Sequence, residues 1–279
     1  MKKNKTSRML MYLLIILVGI FMLYPILWMA MATFKENSEI FGSVKLFPKS
    51  FHFDAYINGW HSVGKFTFTT FYINTFKLVV PTTLFTILSC SLVAYGFARF
   101  NFPLKKLLFV ILISTLMLPS TVLIIPRYTL YNNLGWLNTY LPFYAPALLA
   151  CYPFFIYMML QFMRGIPKEL DESAYIDGCG TMRTFISILW PLLKPAMFSA
   201  GLFQFLWTYN DFYNSLIFIS SVDKYPISLA LRLAIDAESN VQWAQVIAMA
   251  FISVLPLIII FFAAQKYFVE GIATSGLKG

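Results

Sequence analysis

Charge is scarce in this chain. Of its 279 residues, 12% are Asp, Glu, Lys or Arg, against about 25% in ordinary soluble domains, and 59% are hydrophobic. A water-soluble fold of this size could not cover so much apolar surface, so lipid is the expected solvent. Residues that do chemistry are scarce too. The three cysteines, Cys90, Cys151 and Cys179, form no CxxC or CxxxC pair, which argues against a disulfide framework or a thiolate metal site. The two histidines, His52 and His61, lie nine apart with no neighbouring ligands at metal spacing. GxSxG, HExxH and paired intramembrane acids are absent. The stretch 59–66 nearly matches a phosphate-binding loop, but Phe66 stands where a Ser or Thr must hold Mg²⁺. No catalytic, cofactor-binding or metal-binding residue is expected.

Long apolar runs are what the chain has instead. A helix needs roughly 20 apolar residues to cross the hydrocarbon core. Six runs qualify, at 9–32, 74–98, 107–125, 141–162, 195–219 and 244–264. The first follows Lys2, Lys3, Lys5 and Arg8, as a secretory signal would, but its uncharged core is too long for one and reads as a retained helix. The expected fold is all-α: one polytopic membrane domain, 1–279, with six transmembrane helices. Six crossings put both termini on one side. The net charge is +9, and its distribution chooses the side. The termini and the loops after the second and fourth runs hold 13 Lys and Arg with five acids; the opposite loops hold 8 with seven acids. The positive-inside rule makes the first side cytoplasmic. Ala94 with Ala98, and Ala196 with Ala200, offer small-residue faces for close helix contact.

The segment 163–195, between the fourth and fifth runs, carries the most information. Pro167 suits a first helical position. Glu169, Asp171 and Glu172 crowd a first turn, where the helix dipole favours negative charge. Gly178 and Gly180 allow a stop and a tight turn. Thr181 is placed to cap a second helix, with Phe185, Ile188, Leu189 and Leu192 as its apolar stripe. Two short helices around a glycine turn are expected. On this chemistry alone the segment is either an amphipathic or solvated linker, or a stiff knob for a partner.

Glu172-Ser173-Ala174, three residues, Gly178, nine residues, then Ile188-Leu189-Trp190-Pro191 resembles the EAA motif of permeases from binding-protein-dependent ABC importers. Ser173 replaces an alanine and Trp190 a leucine; the spacing is intact. Further segments resemble the maltose-type carbohydrate permeases: Phe34-Lys35-Glu36 with Glu39-Ile40-Phe41, Tyr72-Ile73-Asn74-Thr75, the stretch from Trp207 to Phe212, and the tail around Gln265 to Gly271 with Lys278-Gly279. The resemblance implies an ABC importer permease fold in a bacterial inner membrane, with no ATPase of its own. It implies that Glu172, Ser173, Ala174, Asp177, Gly178, Ile188 and Pro191 couple the chain to an ATPase. It further implies as partners a second permease subunit, two cytoplasmic ATPase subunits that bind the ATP and Mg, and an extracytoplasmic solute-binding protein. The loop 220–242 resembles the one that meets that binding protein.

A pore must hold polar groups that lipid rejects. Asn210, Asp211 and Asn214 in the fifth run are the candidates for the substrate pathway, Asn210 and Asn214 sharing a face at i, i+4. Asp211 reads equally as an interfacial carboxylate. Tyr209, Tyr213 or Trp207 could stack on a sugar ring or simply fill space. A sugar or oligosaccharide is the expected cargo; another polar solute such as glycerol phosphate, or an ion-coupled transporter, are the alternatives.

Overall fold

The computed structural model describes residues 5–43, 45–61, 65–236 and 241–276, and side chains over 9–43, 45–61, 65–235 and 241–263. Lys278 and Gly279 lie outside the described residues, and part of the loop 220–242 does too. The helices, in chain order, are α1 (Lys5–Ala32), α2 (Asn37–Gly42), α3 (Asp54–Trp60), α4 (Phe68–Arg99), α5 (Lys105–Leu116), α6 (Ile124–Asn133), α7 (Leu141–Leu148), α8 (Pro153–Arg164), α9 (Glu169–Ile176), α10 (Thr181–Thr184), α11 (Trp190–Tyr209), α12 (Phe212–Phe218), α13 (Ile227–Asp236) and α14 (Trp243–Gly276). A π-helical stretch, Phe185–Leu189, joins α10 to α11. No strand occurs among the described residues. The fold is an all-helical membrane protein.

Five stretches are long and apolar enough to cross a membrane: Met9–Ala32, Phe68–Arg99, Leu141–Arg164, Thr181–Tyr209 and Trp243–Ala263. The third apolar run behaves differently. Its helix α5 has 12 residues, which at 1.5 Å each reach about 18 Å of a core roughly 30 Å thick. Pro119, which has no N–H to give, stands in the turns that follow, and α6 begins anew at Ile124. The fourth run is broken as well. Pro153 pushes Tyr152 out of the helical region, to ψ 84°. The Ala147 carbonyl, left with only a long bond from the Ala150 amide at 3.4 Å, also accepts from the Ser89 hydroxyl, 2.5 Å away on α4. Broken backbone at membrane depth is stable where neighbouring protein satisfies it in this way.

The chain divides into two compact units. One comprises residues 1–70 and 230–256. Here Asn37 fastens the start of α14: its Oδ1 accepts from the Ala244 amide at 3.1 Å and its Nδ2 donates to the Val241 carbonyl at 3.1 Å. Lys35 is fully buried, donating from Nζ to the Lys45 carbonyl at 2.5 Å with the Trp28 ring 5.9 Å away.

The other unit comprises residues 71–229 and 257–279. Its larger core joins α4, α8 and the α10–α11 helix: Cys90, Ala94, Phe155, Met159, Leu160, Met163, Phe185, Leu189, Leu193 and Ala200 are all buried there. Ala94 and Ala200, expected on helix-contact faces, are in it. At Gly201 the packing leaves no room for a side chain: a Cβ would stand 2.9 Å from the Ile87 Cδ1 of α4. A second core gathers Leu78, Tyr131, Phe143, Phe218 and Ile219.

Candidate functional site: the loop between the fourth and fifth spans and an adjoining polar cavity

Helix α9 carries Glu169, Asp171 and Glu172 in its first turn, where the dipole favours them. Pro167 lies two residues ahead of the helix rather than inside it. The helix ends at Gly178, whose φ of +78° is the left-handed conformation that glycine adopts at no steric cost. The Cys179 amide donates back to the Ala174 carbonyl at 2.9 Å and the Gly178 amide to the Tyr175 carbonyl at 3.0 Å. This pair of bonds is the Schellman motif. A Cβ at Gly178 would meet nothing within 4 Å. Backbone conformation, not internal space, therefore demands glycine at this point of the motif.

The second helix departs from the sequence reading in three ways. Gly180, in extended conformation, stands at the cap position, and Thr181 makes no side-chain cap. The helix is not short: it continues through the π-helical stretch into the fifth span, so Thr181–Tyr209 is one element. Pro191 lacks the N–H to close a normal turn and its ring crowds the carbonyl four residues back, which the wider π turn relieves. The inserted residue also rotates the apolar stripe. Phe185, Leu189 and Leu193 are buried, Ile188 is half-buried, and Leu192 is exposed.

Two side chains at the end of α4 hold this knob. Arg99 places Nε 2.8 Å from the Asp171 carboxylate and donates from Nη2 to the Ile166 carbonyl at 3.0 Å. The Tyr95 ring stacks on Phe185 at 4.8 Å, and its hydroxyl donates to the Thr181 carbonyl at 3.2 Å. Glu172, Ser173, Asp177, Gly178 and Pro191 are exposed, while Ala174 is buried. Tyr175 and Ile176 stand 81% and 84% exposed at the tip, an unusual position for two large apolar side chains on a charged loop.

The polar residues of the fifth run converge on a cavity of about 700 Å³. Asn210, Asp211 and Asn214 line it, with Arg127, Gln204 and Trp207. The expected single helix over 195–219 is broken here. Asp211 caps α12: Oδ1 accepts from the Asn214 amide at 3.1 Å and Oδ2 from Asn214 Nδ2 at 2.7 Å. Asn210 belongs to the end of α11 and Asn214 to α12, so they do not share a helical face; the carboxylate between them brings both to the cavity. Tyr209 turns the other way, buried and stacked on Phe205 at 5.9 Å. Tyr213 is exposed. Gln204 is 4% exposed and lines the cavity. It donates from Nε2 to Thr208 Oγ1 at 2.8 Å, and its Oε1 accepts nothing among the described residues. Trp207 presents half its surface beside Phe154 and Phe155, with ring centres 5.2 Å away.

The model of the family described as "binding-protein-dependent transport system inner membrane component" matches residues 87–274, which include the loop, its clamp and the cavity. The chain belongs to this family. The permease is 32% identical to the probable ABC transporter permease protein YurM of Bacillus subtilis (strain 168), over 92% of this chain and 84% of that protein. It is 30% identical to the trehalose/maltose transport system permease protein MalG of Thermococcus litoralis, over the full length of both. Its fold is similar to that in the crystal structure of a bacterial ABC transporter involved in alginate import: TM-score 0.82, 21% identity, 95% of this chain and 99% of that one.

Sequence reasoning missed several residues of this permease that matter to both sites. Tyr95 lies inside the second apolar run and Arg99 counted only as a charge in the segment after it; only the fold turns them onto the loop. Asp171 read as a partner of the helix dipole, yet it faces Arg99. Gln204 carried a legible signal, since an amide in the middle of an apolar run must find partners in the protein. Arg127 lies in a stretch first read as outside loop.

Proposed function

We propose that this permease moves a sugar or oligosaccharide across the membrane in response to ATP hydrolysed by separate subunits. The observation that carries the mechanism is the clamped loop. Coupling needs a stiff element that a partner can push between two arrangements. The Schellman turn stiffens the tip, and the unbroken helix from Thr181 to Tyr209 links the tip to the cavity. In this reading Glu172, Ser173, Asp177 and Gly178 face an ATPase subunit, with Tyr175 and Ile176 entering a cleft on it. Ala174, Ile188 and Pro191 shape the element from behind. A rotation imposed at α9 passes through Arg99 to the second span and through α11 to Gln204, Asn210 and Asp211.

The cargo assignment rests on relatives and on the cavity. The Thermococcus litoralis relative is named for trehalose and maltose, and others are named for diacetylchitobiose and for galactooligosaccharides. Amide and carboxylate groups beside an exposed tryptophan suit a polyhydroxylated ring: hydroxyls donate to Gln204 Oε1 and Asp211, and a sugar's C–H face covers Trp207. Arg127 in the same cavity favours a second reading, an anionic solute. Asp211 offsets that charge, which favours the neutral cargo.

The partners proposed are a second, non-identical permease, two ATPase subunits and an extracytoplasmic solute-binding protein, with both termini and the loop 163–195 in the cytoplasm. ATP and Mg²⁺ bind the ATPase subunits in this assignment, and the permease itself performs no hydrolysis. The test is uptake by vesicles holding the complete transporter. The proposal expects uptake of a labelled neutral oligosaccharide that requires internal ATP and survives collapse of proton and sodium gradients. Uptake abolished by gradient collapse but not by ATP depletion would overturn it.

A further inference from the structure

A second polar recess lies where the spans Phe68–Arg99 and Leu141–Arg164 end beside α9. It is a cleft of about 570 Å³ lined by Arg99, Lys105, Arg164 and Lys168, with Glu169 as its one carboxylate and Phe97 at its apolar side. Arg99 is already committed to Asp171. Lys105, Arg164 and Lys168 have no carboxylate within ion-pair distance among the described residues. Arg164 lays its guanidinium over the Phe109 ring at 5.3 Å.

The neighbouring helix α5 makes the imbalance sharper. It opens on Lys105-Lys106, has no acid in its first turn and receives no side-chain cap. Two cations at the positive end of a helix oppose its dipole, and an anion at that end relieves them. One face of α5 packs on the core through Phe109 and Leu112, while Leu107, Leu108, Val110 and Ile111 on the other are exposed. A basic recess with room for a phosphate and more thus opens beside the exposed apolar face of α5, at the level where two membrane spans end.

We propose that this cleft binds the phosphate of an anionic phospholipid in the leaflet on the α9 side, with an acyl chain lying along α5. The phosphate meets Lys105, Arg164 and Lys168, Lys105 turning to it from the Phe100 carbonyl 2.7 Å from its Nζ. A zwitterionic lipid brings its own cation into a recess already rich in them, so net charge selects the headgroup. A lipid seated here touches the residues that precede α9, so headgroup composition would bear on the loop's stability. The inference rests on the membrane-spanning assignment alone and is independent of cargo and ATPase.

The test is native mass spectrometry of the assembled transporter in detergent, titrated with phosphatidylglycerol or phosphatidylcholine. Wild type should retain phosphatidylglycerol preferentially, less so as salt rises. Lys105→Gln with Arg164→Gln should weaken retention by about fivefold for each charge removed. Lys45→Gln with Lys49→Gln should leave it unchanged. If the double variant does not fold, Lys105→Gln and Lys168→Gln singly should each show the fivefold loss, and Arg164→Lys should retain the lipid. Equal retention of the two lipids, or of phosphatidylglycerol by wild type and variants, overturns the proposal. So does full displacement by an equal concentration of inorganic phosphate, which would make this a free-anion site.

Discussion

Arg99 Nε and the Asp171 carboxylate lie 2.8 Å apart, with the two side chains only 7% and 22% exposed. This contact fastens the end of the second span to the first turn of α9. Losing one member of a buried pair leaves the other charged and unpaired, at a cost of about 3–5 kcal/mol for a fully buried case and less here. Arg99→Gln should therefore lower the melting temperature of the purified permease and abolish uptake. Arg99→Lys should retain charge yet lose the fork that reaches both Asp171 and Ile166, leaving uptake between the two. Uptake and thermal melts on the same preparations check the order.

Gly178 separates conformation from contact. Alanine at φ +78° costs about 1 kcal/mol, and it clashes with nothing. Gly178→Ala should reduce stability slightly and leave uptake near half or more. Gly178→Asp should remain in the membrane and lose uptake, because the added carboxylate would stand on the exposed face proposed to meet the ATPase, beside Asp177. Membrane-fraction immunoblots alongside uptake separate the two effects.

In the cavity, Asp211 caps α12 and is proposed to meet the cargo, and a pair of variants can split the two roles. Asp211→Asn keeps an acceptor for the Asn214 amide and so keeps the cap. Asp211→Ala loses it, at about 1 kcal/mol. Both should lower the maximum uptake rate, but only the alanine variant should also lower the melting temperature. A melting temperature that falls equally in both would remove the capping role.

Gln204→Leu should reduce the maximum rate of uptake about fivefold or more, since a transient acceptor for the cargo is lost, roughly 1 kcal/mol of hydrogen bonding. The half-saturation concentration should hardly move if a separate binding protein sets it. A change confined to half-saturation would argue that Gln204 acts before translocation.

Gly201→Val tests the close approach of α11 to α4. With a Cβ already 2.9 Å from Ile87, the added bulk should cost about 1–3 kcal/mol. Gly201→Val with Ile87→Ala should recover part of it in thermal melts.

Much of this was legible in the sequence because lipid imposes a simple rule. Apolar runs of sufficient length read as spans, and Met9–Ala32, Phe68–Arg99 and Trp243–Ala263 appear as continuous helices. The glycine turn at Gly178 was legible for the same kind of reason: few residues adopt that backbone. What hydropathy could not register were the breaks. The helices end at Leu116, Leu148 and Tyr209 inside apolar sequence; at the second break Ser89 on α4 reaches the Ala147 carbonyl, and after the third Asp211 caps the next helix. The π turn before Pro191 shifted the apolar stripe by one residue, which no fixed 3.6-residue period can anticipate. The clamp by Tyr95 and Arg99 joins residues more than seventy positions apart from Asp171 and Thr181, beyond the reach of any local pattern.

Cys179 offers the most direct measurement, because it sits half-exposed in the turn itself. In a Cys151→Ser background, with Cys90 buried, a membrane-impermeant maleimide applied from the cytoplasmic side should label Cys179 in the permease alone. Assembly with the ATPase subunits should slow that labelling at least tenfold, and Gly178→Asp should restore it. Labelling at one rate with and without the ATPase, or only from the outer side, would contradict the coupling role of this loop.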